Sequence, residues 1–163
     1  MSGRPVWITG AGGLIGSYLV KAASKFAPAR QVAALTHAQL DLTDFAAVSR
    51  AFATQQPEAI LHCAALSRAT ACESDPALAS RTNVEATWHL CNLAADIPLL
   101  FFSTDVVFDG RKGHYVETDP VNPLSTYAKT KAHAELLVLQ NPRHSVIRTS
   151  LTTGVSPTGD RSF

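Results

Sequence analysis

The sequence predicts an α/β domain built on a doubly wound parallel sheet. Short apolar, β-branched runs alternate with segments of helical spacing along the whole chain, and a glycine-rich turn joins the first run to the first helix. The chain has 163 residues, of which 46% are hydrophobic and 17% charged. This is enough for one domain with a hydrophobic core of its own.

The predicted elements alternate between strand and helix. Apolar runs predict strands at residues 5–9, 31–35, 58–65, 97–104 and 145–151. Helical spacing predicts helices at residues 14–26, within 42–55, at 76–95 and at 125–140. The second helix has Thr43 or Asp44 as its N-cap. The run at 97–104 is nearly all apolar, which is typical of a central parallel strand covered on both faces.

The composition limits the choice of partners and location. The formal net charge is +1, without a basic or acidic run, so we expect no nucleic acid and no membrane as a partner. The three cysteines form no C-x-x-C pair and the six histidines are scattered, so we expect no disulfide scaffold and no metal site. Reduced thiols and the lack of a signal-peptide pattern favour a cytoplasmic protein.

The stretch ITGAGGLIG places Gly10, Gly13 and Gly16 three residues apart between the first strand and the first helix. In such a loop one glycine permits the tight turn, the next lets the backbone approach a pyrophosphate, and the third lets helix and strand pack closely. The N–H groups around Leu14 and Ile15 would face the phosphates. A flexible loop without a ligand is the alternative, but the position between strand and helix favours dinucleotide binding.

The end of the second strand bears on which dinucleotide is bound. NAD-binding domains usually carry an acidic residue there for the ribose 2′-hydroxyl, and here Thr36 and His37 take its place. This favours NADP over NAD, because a 2′-phosphate would meet no negative charge. The basic residues considered for that phosphate are Lys21, Arg30 and His37. Asp41, with the adjacent Leu42, is the candidate for contacting the adenine; its alternative role is to cap the following helix.

Tyr127 and Lys131 lie four residues apart in a predicted helix, so both side chains share one face. Taken alone, such a pair is more often part of a surface helix with a snorkelling lysine. Other stretches change that balance. With these stretches taken together, the chain resembles the extended short-chain dehydrogenase/reductase superfamily, and within it the dTDP-4-dehydrorhamnose reductase family. The matching stretches, in the family's order, are TGAGGLIG, LDLTD, SRTNVEAT, FFSTDVVFDG, NPLSTYAKTKAHAE and VIRTS.

The resemblance implies a Rossmann fold and NAD(P)-dependent reduction of a 4-keto nucleotide-sugar, by a protein that commonly forms homodimers. It makes Tyr127 the proton donor and Lys131 the cation that lowers the phenol pKa and binds the nicotinamide ribose. Thr104 would bind the substrate oxygen, and Asn83 would support the lysine through water. Thr104 could instead cap a turn, and Asn83 could be a buried polar residue bonded to backbone. Further cofactor neighbours implied by the resemblance are Ala64, Ala65 and Ser103.

Two departures from the family limit the inference. The family continues RTS with an aromatic-rich segment, whereas this chain reads RTSLTTG, and the tail TTGVSPTGDRSF resembles an interrupted connection. We therefore expect the N-terminal part of a longer protein, without the family's smaller C-terminal substrate domain. Two other functions stay open. One is an epimerase of the same superfamily or a dehydratase, for which Asp105 would be the acid; the other is a non-catalytic dinucleotide-binding regulatory subunit.

Overall fold

Five parallel strands form one sheet in the spatial order β2-β1-β3-β4-β5. The computed structural model describes residues 3–150 and 152–155. The strands are β1 Val6–Thr9, β2 Val32–Leu35, β3 Ala59–His62, β4 Leu99–Thr104 and β5 Ser145–Thr149. Because β2 and β3 lie on opposite sides of β1, the strand order reverses there, and the predicted doubly wound parallel sheet is confirmed.

Helices connect the strands. They are α1 Leu14–Phe26, α2 Phe45–Gln55, α3 Ala69–Ser74, α4 Pro76–Ser80, α5 Ala86–Leu93 and α6 Thr126–Val138, with a π-helical segment at Arg81–Glu85 and a 3-10 turn at Asp105–Val107. Right-handed crossovers place α1 on one face of the sheet and α2, α5 and α6 on the other. In agreement, α5 packs against both α2 and α6, whereas α1 packs on β1 and β2.

The predicted helix at 76–95 is wrong as a single α-helix. It comprises α4, the π-helical segment and α5, while α3 occupies residues predicted to be loop. Asp75 caps α4 by accepting a hydrogen bond from the Leu78 N–H at 2.8 Å, and Pro76 takes the first helical position. The six residues of α3 are too few to produce a helical period in the sequence, which explains why it was missed.

The third and fifth strands are shorter than predicted at their carboxyl ends, whereas the other three end at the predicted residues. The third strand ends at His62 rather than at residue 65, because the following residues leave the sheet to pass beneath the glycine loop. The fifth ends at Thr149, and Leu151 and residues 156–163 of the predicted strand and tail lie outside the described residues. All five carboxyl ends lie at one edge, where open α/β sheets bind ligands.

The core fills the face of the sheet that α2, α5 and α6 cover. Trp7, Ile60 and Phe101 are completely buried there, and the Trp7 ring meets Phe52 of α2 edge-on at 5.7 Å. Along β4, buried residues alternate with half-buried ones. Among residues 3–150 and 152–155, the second face of β4 is therefore less covered than predicted, since α1 packs over β1 and β2. Within the described residues, each helix is too short or too polar to span a bilayer.

Candidate active site

The glycine loop makes two close backbone crossings at the end of β1. Gly10 has φ +66°, and a Cβ there would lie 2.6 Å from the Ala64 backbone nitrogen. A Cβ on Gly16 would overlap the Gly10 carbonyl, so this position allows α1 to pack against the turn. Gly13 is the N-cap of α1, and its N–H donates to the Gly10 carbonyl at 2.9 Å. The loop therefore has the tight geometry that dinucleotide-binding turns require.

The start of α1 is open to an anion. No side chain caps the helix, and its first turn carries no acidic residue. The N–H groups of Leu14, Ile15 and Gly16 have no carbonyl partner within the helix, because the first turn of every α-helix lacks one. Together with the helix dipole, these groups favour negative charge at this end.

The loop after β2 lies beside the glycine loop. A Cβ on Gly12 would be 3.7 Å from Thr36 Cγ2. The Thr36 N–H and hydroxyl donate to Gln39 Oε1 at 2.9 and 2.8 Å. The His37 side chain is 84% exposed, and its Nδ1 lies 3.8 Å from Asp41 Oδ1. A hydroxyl and an exposed imidazole thus occupy the position where NAD-binding domains carry an acid.

Asp41 and Leu42 have structural roles in the next turn. Asp41 Oδ1 accepts hydrogen bonds from the Thr43 N–H and hydroxyl, both at 2.8 Å, which lower the pKa of the Asp41 carboxyl. The N-cap of α2 is Asp44, which accepts a hydrogen bond from the Ala47 N–H at 2.9 Å. Asp44 is one of the two residues predicted for this role. The alternative cap role of Asp41 is therefore wrong. Leu42 packs in the core, so it has only backbone to offer a cofactor.

Arg30 does not lie near the predicted 2′-phosphate position. It precedes β2, and its guanidinium pairs with Glu58, which precedes β3, so both lie at the amino ends of the strands. The suggestion that Arg30 contacts the 2′-phosphate is therefore wrong. Lys21 lies on α1, with its Nζ 5.3 Å from the centroid of the Tyr18 ring. Of the three basic residues considered for the 2′-phosphate, His37 is the one that lies in the loop after β2.

The residues after β3 pass directly beneath the glycine loop. The Ala64 N–H donates to Thr9 Oγ1 at 3.4 Å, and both Ala64 and Ala65 are half-buried. Burial raises the pKa of the Cys63 thiol to about 12. Cys63 is therefore protonated at neutral pH and a poor nucleophile.

The end of β4 presents two hydroxyl groups. Ser103 is 4% exposed, and within the described part of the chain its hydroxyl has no hydrogen-bond partner. The half-buried Thr104 donates to Asp105 Oδ1 and accepts from the Val106 N–H, each at 3.3 Å, so it caps the 3-10 turn. Both of these bonds are long, which makes the Thr104 hydroxyl available to a better partner.

The first turn of α6 is fixed by two acceptors. Ser125 is the N-cap and accepts from the Ala128 N–H at 3.2 Å. The Glu73 carboxylate, at the end of α3, accepts from the Thr126 N–H and hydroxyl, both at 2.7 Å. Together they orient the helix start next to Tyr127. Sequence reasoning missed Glu73, because its partner is 53 residues away and α3 was not predicted.

Tyr127 has a raised pKa, contrary to the expectation that Lys131 lowers it. Burial raises the pKa of the Tyr127 phenol to about 12, and Cys72 and Asp105 nearby act in the same direction. The Lys131 ammonium, which donates to the Phe102 carbonyl at 2.7 Å, does not offset this rise. Tyr127 is accordingly a protonated phenol in this structure, suited to donating a proton rather than accepting one.

Lys131 is an almost completely buried cation, with only 2% of the residue exposed. Its Nζ lies 3.8 Å from the centroid of the Phe101 ring. Burial lowers the pKa of Lys131 to about 7, although Glu135 and Cys63 favour the charged form. Glu135 is itself held by Arg148, whose Nη2 lies 2.7 Å from its carboxylate. The snorkelling surface lysine considered from the sequence is therefore ruled out.

Asn83 lies in the π-helical segment and is completely buried. Its side-chain oxygen accepts from the Leu66 N–H at 2.8 Å, and its amide nitrogen donates to the Leu66 carbonyl and to Thr130 Oγ1. These bonds agree with the second role considered for Asn83, that of a buried polar residue bonded to backbone. Its connection to Lys131 runs through the neighbouring Thr130 of α6. In the described residues, no three His, Cys, Asp or Glu side chains come together as metal ligands would.

Comparison with known proteins supports the same interpretation of the fold. Residues 4–158 match the family model described as the RmlD substrate binding domain. A dTDP-4-dehydrorhamnose reductase of Streptomyces griseus is 40% identical over 141 residues, which cover 84% of this chain and 46% of that protein. The methionine adenosyltransferase 2 subunit beta of Bos taurus is 39% identical over 149 residues, covering 85% and 43%.

A solved structure also superposes well. The dTDP-4-dehydrorhamnose reductase of Bacillus anthracis, in complex with NADP, matches with a TM-score of 0.84 and 26% identity, over 93% of this chain and 55% of that one. The chain thus spans about half the length of the relatives that it matches.

Proposed function

Because this chain belongs to the family described as the RmlD substrate binding domain, we propose that it is the dinucleotide-binding part of an NADP-dependent reductase of 4-keto nucleotide-sugars. The observation that carries the proposal is the position of Tyr127 and Lys131 on the α6 segment beside β4, at the same sheet edge as the glycine loop. Folds of this kind bind their ligands at that edge.

The proposed cofactor is NADP, with NAD as the weaker ligand. The glycine loop and the start of α1 would hold the pyrophosphate, and Thr36 and His37 would meet the 2′-phosphate without a carboxylate at either position. The Bacillus anthracis reductase was solved with NADP, which supports the same choice. Ala64, Ala65 and Ser103 would line the dinucleotide, as the resemblance implies.

The proposed reaction adds a hydride and a proton to a sugar carbonyl. Bound NADPH would supply the hydride to the carbonyl carbon. The phenol of Tyr127 would give its proton to the carbonyl oxygen, and its raised pKa keeps that proton in place until charge develops on the oxygen. The Thr104 hydroxyl would donate a second hydrogen bond to the same oxygen. Lys131, when protonated, would stabilise the tyrosinate that remains.

Titration of the chain with NADPH and NADH, followed by fluorescence, tests the cofactor site. We expect saturable binding with NADPH as the tighter ligand. Gly13→Asp would abolish it, because the new carboxylate would lie where the pyrophosphate binds. Aspartate is a favoured N-cap residue, which offsets the tight 3.3 Å contact of its Cβ with the Gly10 carbonyl oxygen, and circular dichroism would check that the variant is folded. The matched control is Gly113→Asp, since Gly113 lies in an exposed loop with open space around it.

A second candidate function is that of a non-catalytic, dinucleotide-binding subunit. It is favoured by the 39% identity to the methionine adenosyltransferase 2 subunit beta and by the Lys131 ammonium, which is bonded to a backbone carbonyl while the pKa of Tyr127 is raised. The two functions differ in turnover. Oxidation of NADPH in the presence of a 4-keto nucleotide-sugar, lost in Tyr127→Phe, would support the reductase; NADPH binding without oxidation would support the subunit.

A further inference from the structure

A chain of hydrogen bonds crosses the interior beneath the candidate site, with His62 at its centre. His62 is the last residue of β3 and is completely buried. Its Nδ1 lies 2.7 Å from Thr9 Oγ1, and its Nε2 lies 3.0 Å from Thr87 Oγ1. Thr9 directly precedes the glycine loop, whereas Thr87 lies in α5. One imidazole therefore bridges the cofactor loop and the helical layer.

The partners of these hydroxyl groups fix the protonation of the ring. The Thr87 hydroxyl donates to the Asn83 carbonyl at 2.7 Å, so its oxygen accepts from His62 Nε2–H. His62 Nδ1 consequently accepts from the Thr9 hydroxyl, whose oxygen accepts from the Ala64 N–H. Every donor in the chain has one acceptor, and all point in one direction.

The charge state of the ring follows from its surroundings. Burial and the positive charge of Lys131 lower the pKa of His62 to about 3. The ring packs against Phe101, with centroids 5.5 Å apart, and the same phenylalanine lies under the Lys131 ammonium. His62 is therefore uncharged at neutral pH, and its hydrogen bonds are those of a neutral imidazole.

The other end of the chain reaches the helix that carries the proposed proton donor. Asn83 Nδ2 donates to Thr130 Oγ1 at 3.0 Å, and the Thr130 hydroxyl donates to the Tyr127 carbonyl at 2.8 Å. The bonds from the Asn83 side chain to both backbone groups of Leu66 tie in the loop after β3. The glycine loop and the first turn of α6 are thus joined through buried side chains.

We propose that His62, as a neutral ring protonated on Nε2, is a positioning residue that holds the glycine loop and α6 in one fixed relation. Removing the ring would loosen both ends, since buried polar networks lose more than one bond when a central member is deleted. The proposal rests on the proposed dinucleotide binding, which defines what the two ends would hold.

Three variants of the full chain test the two ring nitrogens of His62 separately. His62→Asn retains an acceptor near the position of Nδ1 for Thr9, His62→Gln retains a donor near the position of Nε2 for Thr87, and His62→Leu retains neither. The control is His144→Gln, because His144 is also buried but lies between α6 and β5, bonded to the Ala94 carbonyl. The measurements are the backbone amide NMR spectrum, the ring nitrogen shifts of His62 and the dissociation constant for NADPH.

The ring nitrogen shifts are expected to report a neutral Nε2–H tautomer. His62→Leu is expected to shift the amides of both the glycine loop and Thr130–Lys131, and to weaken NADPH binding about tenfold. His62→Asn should restore the glycine-loop shifts, and His62→Gln those of α6, a reciprocal rescue that a merely space-filling role would not give. The control should leave both regions and NADPH binding unchanged.

The Nδ1–H tautomer, a cationic ring at neutral pH, or shifts confined to β3 in a folded His62→Leu variant would overturn the proposal. If the unaltered chain fails to bind NADPH, the proposed function fails. The amide shifts of the two regions then decide the coupling on their own, because they require no ligand.

Discussion

Lys131 illustrates how a single residue can oppose stability while serving function. Its ammonium is buried between the Phe101 ring and the Phe102 carbonyl, in surroundings that favour the neutral amine. Desolvating a cation costs free energy that one hydrogen bond does not fully recover. A proposed catalytic group in such a position is expected to lower the stability of the domain.

Replacement of Lys131 by methionine is therefore expected to stabilise the chain. The folded pKa of about 7 lies below the ordinary value of 10.5, so the unfolded chain binds more protons between these values. Stability of the unaltered chain should accordingly rise from pH 7 to 10.5 and be lowest below pH 7. Urea unfolding at low pH should show Lys131→Met more stable by about 1–4 kcal/mol, and the difference should shrink at high pH. Lys129→Met, on the exposed side of α6, is the control; an equal gain at both pH values would contradict the prediction.

His37 is expected to decide between the two dinucleotides. His37→Asp places a carboxylate at the end of β2, where it would repel a 2′-phosphate and could accept a hydrogen bond from a 2′-hydroxyl. Titration should show the dissociation constant for NADPH rising about tenfold or more while that for NADH stays the same or falls. The matched change His114→Asp, in the exposed loop after β4, should alter neither. Equal weakening of both ligands by His37→Asp would contradict this role.

At the scale of single residues, the sequence predicted which residue types are needed at certain positions better than it predicted their burial and pKa. Gly10 and Gly16 were predicted from spacing, because a turn with positive φ and a close crossing demand glycine. The burial of Lys131 was not predicted, since a four-residue spacing fixes the face of a helix but not the depth of that face. The upward shift in the pKa of Tyr127 was missed for the same reason.

At the scale of elements, α6 depends on a contact from outside its own sequence. The Glu73 carboxylate receives two hydrogen bonds from Thr126, which lower the pKa of Glu73. This contact connects α3 to the first turn of α6 and adds negative charge where the helix dipole favours it.

Glu73→Gln is expected to lower the melting temperature at neutral pH but not in acid. Because the folded pKa of Glu73 is lowered, its stabilising contribution is complete above the ordinary value of 4.5 and is lost as the pH falls through the folded pKa. Thermal unfolding followed by circular dichroism at both pH values checks this. The double variant Glu73→Gln, Thr126→Val should lower the melting temperature by less than the sum of the two single variants. Glu85→Gln, an exposed residue of the π-helical segment, should have little effect.

Element boundaries were predictable where capping chemistry is local. Asp44 caps α2 and Ser125 caps α6 within three residues of their partners, and both lie at the predicted starts. The π-helical segment was not predictable, because one extra residue per turn only shifts the phase of the apolar pattern. Buried Asn83 in this segment is bonded to Leu66, 17 residues away, a contact that the apolar pattern does not reveal.

For the whole molecule, the alternation of strands and helices was sufficient to predict the sheet. Right-handed crossovers leave few topologies open once that alternation is known. The half-buried face of β4 was not predicted, because its apolar residues do not reveal whether a helix covers them. In the part of the chain that the structure describes, Ile147 of the neighbouring strand is 38% exposed, so this face is more open at β5. The homodimer expected from the resemblance stays a prediction.

The two tryptophans offer a test of the global arrangement. Trp7 is completely buried in β1, whereas Trp88 on α5 is 52% exposed. We expect Trp88→Phe, which leaves Trp7, to emit at shorter wavelength and to resist quenching by acrylamide until the chain unfolds. Trp7→Phe should leave a readily quenched emission, and should also destabilise the fold by a few kcal/mol, roughly the cost of truncating a large core side chain. Similar quenching of the two single-tryptophan variants would contradict the described packing.

The buried lysine beneath α6 has one more consequence, in chemical reactivity. An amine with a pKa of about 7 has a large unprotonated fraction at neutral pH, where an ordinary lysine has almost none, and would be acylated faster, yet only 2% of Lys131 is exposed. An acylating reagent can therefore modify it only when α6 lifts from β4. The rate at which mass spectrometry detects that modification would then time the opening of this part of the domain, and a ligand that bridges α6 and the glycine loop would slow it.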